Sequence, residues 1–141
     1  MTATSDLAVV TRDEEIGSVS LAVPVQPKPT PRPRVSKFGA YYPADYKAYV
    51  KRLLAAIPPA AFPLMGELLI EIECVCPTIQ KSKFTTPAGD VDNLAKGLLD
   101  VLTQQGYYGD DRQIVDCHIT KRFPEAGEAP CFNVNIQDIS C

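Results

Sequence analysis

No apolar run in this 141-residue chain approaches the ~20 residues that a membrane-spanning helix needs. A single histidine, His118, excludes chemistry that depends on paired imidazoles. The five cysteines are an odd number without framework spacing, which points to reduced thiols rather than a disulfide scaffold. Cys74 and Cys76 share one strand face, but no second close pair exists to complete a zinc set. Positive charge is not in excess either. Fourteen Lys and Arg stand against 17 Asp and Glu, a net charge of −3, so nucleic acid would have to be met by a local basic surface rather than by bulk charge. No internal repeat is visible. The first fifteen residues offer only Leu7 to Val10 as an apolar stretch, followed at once by Arg12, Asp13, Glu14 and Glu15. That is no signal peptide, and residues 1–15 are expected to be a flexible tail before one folded domain, 16–141. A cytoplasmic location is the matching expectation.

What is present reads as alternating strands and amphipathic helices. Val19, Leu21, Val23 and Val25 alternate with small or polar residues and predict a strand over 18–25. Residues 26–37 carry four prolines, Lys28, Arg32, Arg34, Lys37 and no acid, and predict a stiff extended arm. Tyr46, Tyr49, Val50, Leu53, Leu54 and Ile57 form the stripe of a helix over 43–57, with Pro43 in its first turn and Pro58-Pro59 as its stop. Leu68, Ile70, Ile72 and Cys74 alternate with Glu67, Leu69, Glu71 and Glu73 in a strand over 66–76. A polar loop with Lys81 and Lys83 leads to a second helix, with Leu94, Leu98, Val101 and Leu102 as its buried stripe. Strands over 113–123 and around Phe132, Val134 and Ile136 complete a β-α-β-α-β-β order. That is an α+β domain, with two helices against a mostly antiparallel or mixed sheet.

Acidic residues punctuate the second helix. Asp90 and Asp92 stand at its start, and Asp92, Lys96 and Asp100 follow one another at four-residue spacing on a face apart from the apolar stripe. After Gly106 and Tyr107-Tyr108-Gly109, Asp110 and Asp111 occupy a turn. Asp90 suits a helix N-cap and Asp110-Asp111 an ordinary polar turn, which accounts for them without any function. If the turn folds back to the helix start, the same carboxylates make an oxygen-rich site for a hard cation such as Mg²⁺. Asp116 and His118 share a strand face and are a further acid and a candidate general base, though metal-assisted hydrolysis needs no histidine.

The set D-x-D-N-L-x-K, a helix, then G-D-D-x-Q-I resembles the RusA family of Holliday junction resolvases, small Mg²⁺-dependent endonucleases common in prophages. It is tightest from Asp90 to Ile114 and extends loosely from Pro27 to about Ile136. The resemblance implies that Asp90, Asp92 and Asp111 are catalytic and hold the metal, with Lys96 as the active-site lysine and Asn93 as a polar, DNA-facing neighbour. It implies a homodimer with one active site per subunit, Mg²⁺ with Mn²⁺ as a substitute, no small-molecule cofactor, and branched DNA as the partner. A similar R-P-R stretch in that family makes Lys28, Arg32, Arg34 and Lys37 expected DNA contacts. The loop with Lys81 and Lys83 enters the acidic motif from outside the sheet, which suits either DNA contact beside the scissile phosphate or a plain surface loop.

The chemistry agrees. Two carboxylates ~4 Å apart repel by about 4 kcal/mol at an effective dielectric of 20, and a phosphodiester adds charge, so a divalent ion is the natural resolution. Such an ion activates water for in-line attack on phosphorus. The two-fold dimer that the resemblance implies would then give paired symmetric nicks. A flap- or fork-selective nuclease, a non-catalytic branched-DNA-binding module and a proline-arm interaction protein are the competing readings.

Overall fold

The computed structural model describes residues 7–79 and 85–140. The chain runs β1 (Val9–Asp13), β2 (Ser18–Val23), β3 (Arg34–Ser36), β4 (Gly39–Tyr41), α1 (Ala44–Ala56), β5 (Leu68–Val75), α2 (Val91–Gln104), a 3-10 turn (Asp111–Gln113), β6 (Ile114–Arg122) and β7 (Cys131–Asp138). Five strands make one sheet in the order β1-β2-β7-β5-β6. Only β5 and β6 are parallel; the other neighbours are antiparallel. This is the expected α+β class with a mixed sheet and two helices.

Alternation decides which face is dry. Val19 and Leu21, Leu68 and Ile70, Phe132 and Val134 are buried on one side, beneath the stripes of both helices. α1 contributes Tyr46, Tyr49 and Leu53, and α2 contributes Leu94, Leu98, Val101 and Leu102. The helices come close at Gly97, where a Cβ would stand 2.9 Å from the Tyr46 hydroxyl. On the far face Ser20, Glu71, His118, Thr120 and Asn135 line a groove of about 540 Å³.

Because β5 and β6 are parallel, α2 must carry the chain back along the whole sheet before β6 can start. The two ends of α2 therefore lie at opposite ends of the sheet.

Three expectations change. Val9–Asp13, assigned to the tail, pairs antiparallel with β2 from Val9↔Ala22 to Asp13↔Ser18; alternation over so short a run was masked by the charges that follow it. Residues 1–6 lie outside the described residues. The arm is extended only as far as Pro33. Arg34–Ser36 then pairs with Gly39–Tyr41 in a small hairpin whose residues are all exposed. Pro43 is the N-cap of α1 rather than a first-turn residue.

On the open face Arg122 ties β6 to β5 and to the following loop. It lies 3.1 Å from Glu73 and 2.6 Å from Glu128. Hydrogen bonding to Arg122, and then to the Glu125 amide, holds the Glu128 carboxyl at about 2. The Glu73 carboxyl is also lowered, first by Arg122 and then by Asn133. A depressed folded pKa stabilises the fold above the unfolded carboxylate value, about 4.3, and that stabilisation is lost as pH falls toward about 2. The melting temperature is therefore expected to fall across this acid window, and to fall less steeply in Glu128→Gln protein. Identical pH profiles for the two proteins would refute the assignment.

Candidate active site

The first acidic arm is the start of α2. Asp90 occupies the N-cap with extended backbone, and its carbonyl accepts the Leu94 amide at 2.9 Å, but its carboxylate makes no capping hydrogen bond. Asp92 is exposed in the first turn. The positive end of the helix favours both charges. Lys96, one turn further on, is exposed and forms no ion pair with Asp92 or Asp100 among the described residues. The structural roles available to these three side chains in the sequence are thus not taken up.

The loop that delivers Asp90 is held from below. Lys121 Nζ donates to the Pro87 carbonyl at 2.8 Å and to the Gly89 carbonyl at 2.6 Å. Gly89 has φ +89°, and a Cβ there would meet Pro29 Cγ at 2.9 Å, so no other residue fits without strain. The proline arm closes the opposite side, with the Thr30 amide donating to the Asn93 carbonyl at 3.0 Å. Lys121 escaped the sequence reading. Its signal was an ionisable side chain on the strand face otherwise made of Val115, Cys117 and Ile119.

The second arm is the turn before β6. Tyr108 is buried and its hydroxyl donates to the Leu99 carbonyl at 3.1 Å, tying the chain's exit to α2. Asp110 is structural: its carboxylate accepts the Arg112 amide at 2.9 Å, and that bond, followed by one to the Asp111 side chain, keeps its carboxyl below the ordinary range. Gln113 locks the turn. Its Oε1 accepts the Gly109 and Asp110 amides at 2.8 and 3.1 Å, and its Nε2 donates to the Leu64 and Gly66 carbonyls at 3.1 and 3.0 Å. The Asp110-x-x-Gln113 spacing of a capping box was its sequence signal. Asp111 is left exposed. Gln113→Ala is expected to cost about 1–3 kcal/mol, since four backbone groups lose their partner. Urea unfolding reads this directly, and an unchanged midpoint would dismiss the lock.

The two arms do not meet within one chain. Asp90 and Asp92 sit where β5 and β6 end, because Lys121, near the end of β6, reaches Gly89. Asp111 sits where β6 starts, beside Leu64 and Gly66, the residues just before β5. Between them lie the 14 residues of α2, or ~21 Å. Among the described residues no group of three or more His, Cys, Asp or Glu could hold a metal ion. As a donor set, Asp90 and Asp92 suit Mg²⁺, which takes one or two carboxylates and keeps several waters. Asp111 does not join them in the single subunit.

The model of the family described as endodeoxyribonuclease RusA matches residues 24–137, most of the chain. The chain belongs to the RusA family. It is therefore an endodeoxyribonuclease, a hydrolase of the Holliday-junction-resolving class. No curated protein matches the chain.

The basic residues expected to serve this RusA-family enzyme fare differently. Lys28 Nζ lies 3.1 Å from Asp45, so its charge is partly engaged within the protein. Arg32 and Arg34 are exposed and have no side-chain partner among the described residues. Lys37 stands over the ring of Phe38, 5.2 Å from its centroid, at the hairpin tip. Lys81 and Lys83 lie outside the described residues. Asn93 is half-buried at the start of α2. His118 Nε2 is 2.9 Å from Asp116 on the open sheet face, away from α2. Burial pushes the Cys74 thiol up to about 12 and raises that of Cys76, which suits packed thiols rather than zinc ligands. No helix among the described residues is long and apolar enough to cross a membrane.

Proposed function

We propose that the protein is a Mg²⁺-dependent, structure-selective endodeoxyribonuclease that resolves four-way junctions by paired symmetric nicks, with Mn²⁺ as a substitute ion. One observation carries the reading: Asp90 and Asp92 stand at the start of α2, behind a loop held by Lys121, and neither they nor Lys96, one turn on, have a side-chain ion-pair partner among the described residues. When bound, the ion supplies positive charge at the phosphate oxygens and a nucleophile near neutral pH. Asp90 and Asp92 would hold it, and Asp111, at the far end of α2 in the same chain, would complete the acidic set only from the second subunit of the homodimer. Lys96 sets a fixed positive charge against the charge that develops on the phosphoryl group and leaving oxygen. Asn93, close to both acids, contacts the DNA backbone.

Arg32 and Arg34 grip phosphates bidentately, with Lys28, Lys37, Lys81 and Lys83 adding charge around them. The partner is branched DNA and the working unit a cytoplasmic homodimer, without a small-molecule cofactor, serving phage DNA processing. Arg32→Ala and Arg34→Ala are each expected to weaken junction and duplex binding alike and to lower the salt dependence by about one phosphate contact. A loss confined to one DNA sequence would contradict a phosphate role.

The test is nicking of a synthetic mobile four-way junction, beside a fork and a linear duplex, with Mg²⁺ or EDTA. Paired nicks in the junction that vanish with EDTA support the reading. Preferential cutting of the fork transfers it to flap or fork processing, and tight binding without cleavage of any branched DNA refutes the enzyme mechanism.

A further inference from the structure

We propose that the β3–β4 hairpin is a wedge that enters the branch point of the DNA, with Phe38 stacking on a base that the branch leaves unstacked. The inference rests on the structure-selective reading above and deepens it, by naming the part of the chain that tells branched DNA from linear duplex.

The two most exposed large apolar side chains among the described residues are Phe38 at 89 % and Val35 at 82 %. Both stand on this one hairpin, and Tyr41 beside them is 43 % exposed. Apolar surface gathered in this way marks a contact. Its surroundings name the occupant. From Gln26 to Ala44 the chain holds Lys28, Arg32, Arg34 and Lys37 and no acid. Lys37 Nζ stands 5.2 Å from the centre of the Phe38 ring, and Arg34 pairs with Tyr41 across the hairpin. A phosphate backbone alone has no use for the ring, and an apolar protein groove has no use for the cations. Bases carried between phosphates call for both.

The tip is built to present the ring. Ser36 pairs with Gly39, so the turn is only Lys37-Phe38. Ser36 Oγ accepts the Phe38 amide at 3.1 Å and donates to the Gly39 carbonyl at 3.4 Å. Gly39 has φ +111°, a conformation that suits glycine. The base of the hairpin is fixed as well. The Thr30 amide donates to the Asn93 carbonyl at 3.0 Å, and the Thr30 hydroxyl lies 2.9 Å from that of Tyr46. On the other leg Tyr42 packs against Tyr46, with ring centres 5.1 Å apart. The hairpin therefore projects from the seam where the starts of α1 and α2 meet the arm, beside Asp90 and Asp92. Eight residues separate Thr30 from Phe38, at most ~28 Å of chain, which puts the branch within about eight base steps of the phosphate to be cut.

Inside a linear duplex every base face is already stacked, and opening a step is costly. At a branch the stack is interrupted, so the ring gains its contact without that cost. The wedge adds affinity for branched DNA and none for duplex.

The chain has no tryptophan, so Phe38→Trp sets a single indole at the tip. On a four-way junction in EDTA, where cleavage is stopped, its fluorescence is expected to fall by about half or more through stacking on a base, and to stay unchanged on linear duplex. Phe38→Ala is expected to bind the junction about ten-fold more weakly, with duplex affinity and melting temperature unchanged, and Phe38→Trp to keep the junction affinity. Equal junction affinity of wild-type and Phe38→Ala protein, or the same quenching on junction and duplex, overturns the wedge while leaving structure selectivity in place. So does an indole shielded from acrylamide before DNA is added, together with a lower oligomeric state of Phe38→Ala protein in sedimentation, which assigns the tip to a second copy of the chain. If wild-type protein binds the junction no better than duplex, the structure-selective reading itself fails and takes the wedge with it.

Discussion

Asp92→Asn protein is expected to bind a four-way junction as tightly as the unaltered chain and to nick it about a thousand-fold more slowly. The substitution removes one negative charge and leaves the side chain nearly isosteric. Asp92 is exposed and has no hydrogen-bond or ion-pair partner among the described residues, so stability should shift by no more than about 0.5 kcal/mol. Binding survives because phosphate contacts come from the basic arm, and loss of a carboxylate lowers repulsion from DNA. Asp110→Ala is the informative companion. It deletes the acceptor of the Arg112 amide, which should cost about 0.5–2 kcal/mol of stability, while the acid assigned to catalysis, Asp111, stays in place. The pair separates chemistry from capping: one variant folds normally and does not cut, the other folds less well and still cuts. Rapid nicking by Asp92→Asn, with melting unchanged, would remove Asp92 from the mechanism.

Lys121→Met should be the most damaging change outside the acidic set. Its ammonium satisfies the Pro87 and Gly89 carbonyls immediately before Asp90, and methionine fills the stem's volume without donating to either. Charged hydrogen bonds of this kind are worth about 1.5–3 kcal/mol each, so a clear loss of thermal stability is expected. The functional loss should exceed what stability explains. A support for a ligand-bearing loop typically changes metal affinity or activity by about 10–100-fold, and here Mn²⁺ affinity and the nicking rate at saturating DNA should fall together. Lys121→Arg keeps the charge but replaces a compact point donor with a planar fork, so recovery should be partial. Wild-type Mn²⁺ affinity and turnover in Lys121→Met protein, at a temperature where it is folded, would reduce Lys121 to a packing residue.

Hydropathy patterning made most of this fold readable. Val19–Val23, Leu68–Cys74 and Phe132–Ile136 alternate with period two, and the two helical stripes recur at three and four; such periods reflect side-chain direction and survive without tertiary information. β1 was less legible because an edge strand of five residues, half exposed and ending in charges, resembles a tail. The Arg34–Tyr41 hairpin was hidden by the prolines before it. The acidic residues were legible through residue type and spacing, while the roles proposed for Asp90, Asp92 and Lys96 came from the resemblance to the RusA family, since spacing alone suits a helix cap and a polar turn equally well. The holders of those residues were not legible. Lys121 and Gln113 act on backbone carbonyls and amides from far along the chain, and nothing local in a sequence announces such a bond.

Composition, periodicity and motif spacing, then, determined an α+β domain, two helices, a family and a set of acidic residues. Tertiary structure alone decided where those acids stand relative to one another. The parallel pairing of β5 with β6 stretches α2 along the sheet and places Asp92 and Asp111 at its two ends, although only 18 residues separate them. Sequence distance sets how far two groups can be apart, while strand direction sets how far apart they are.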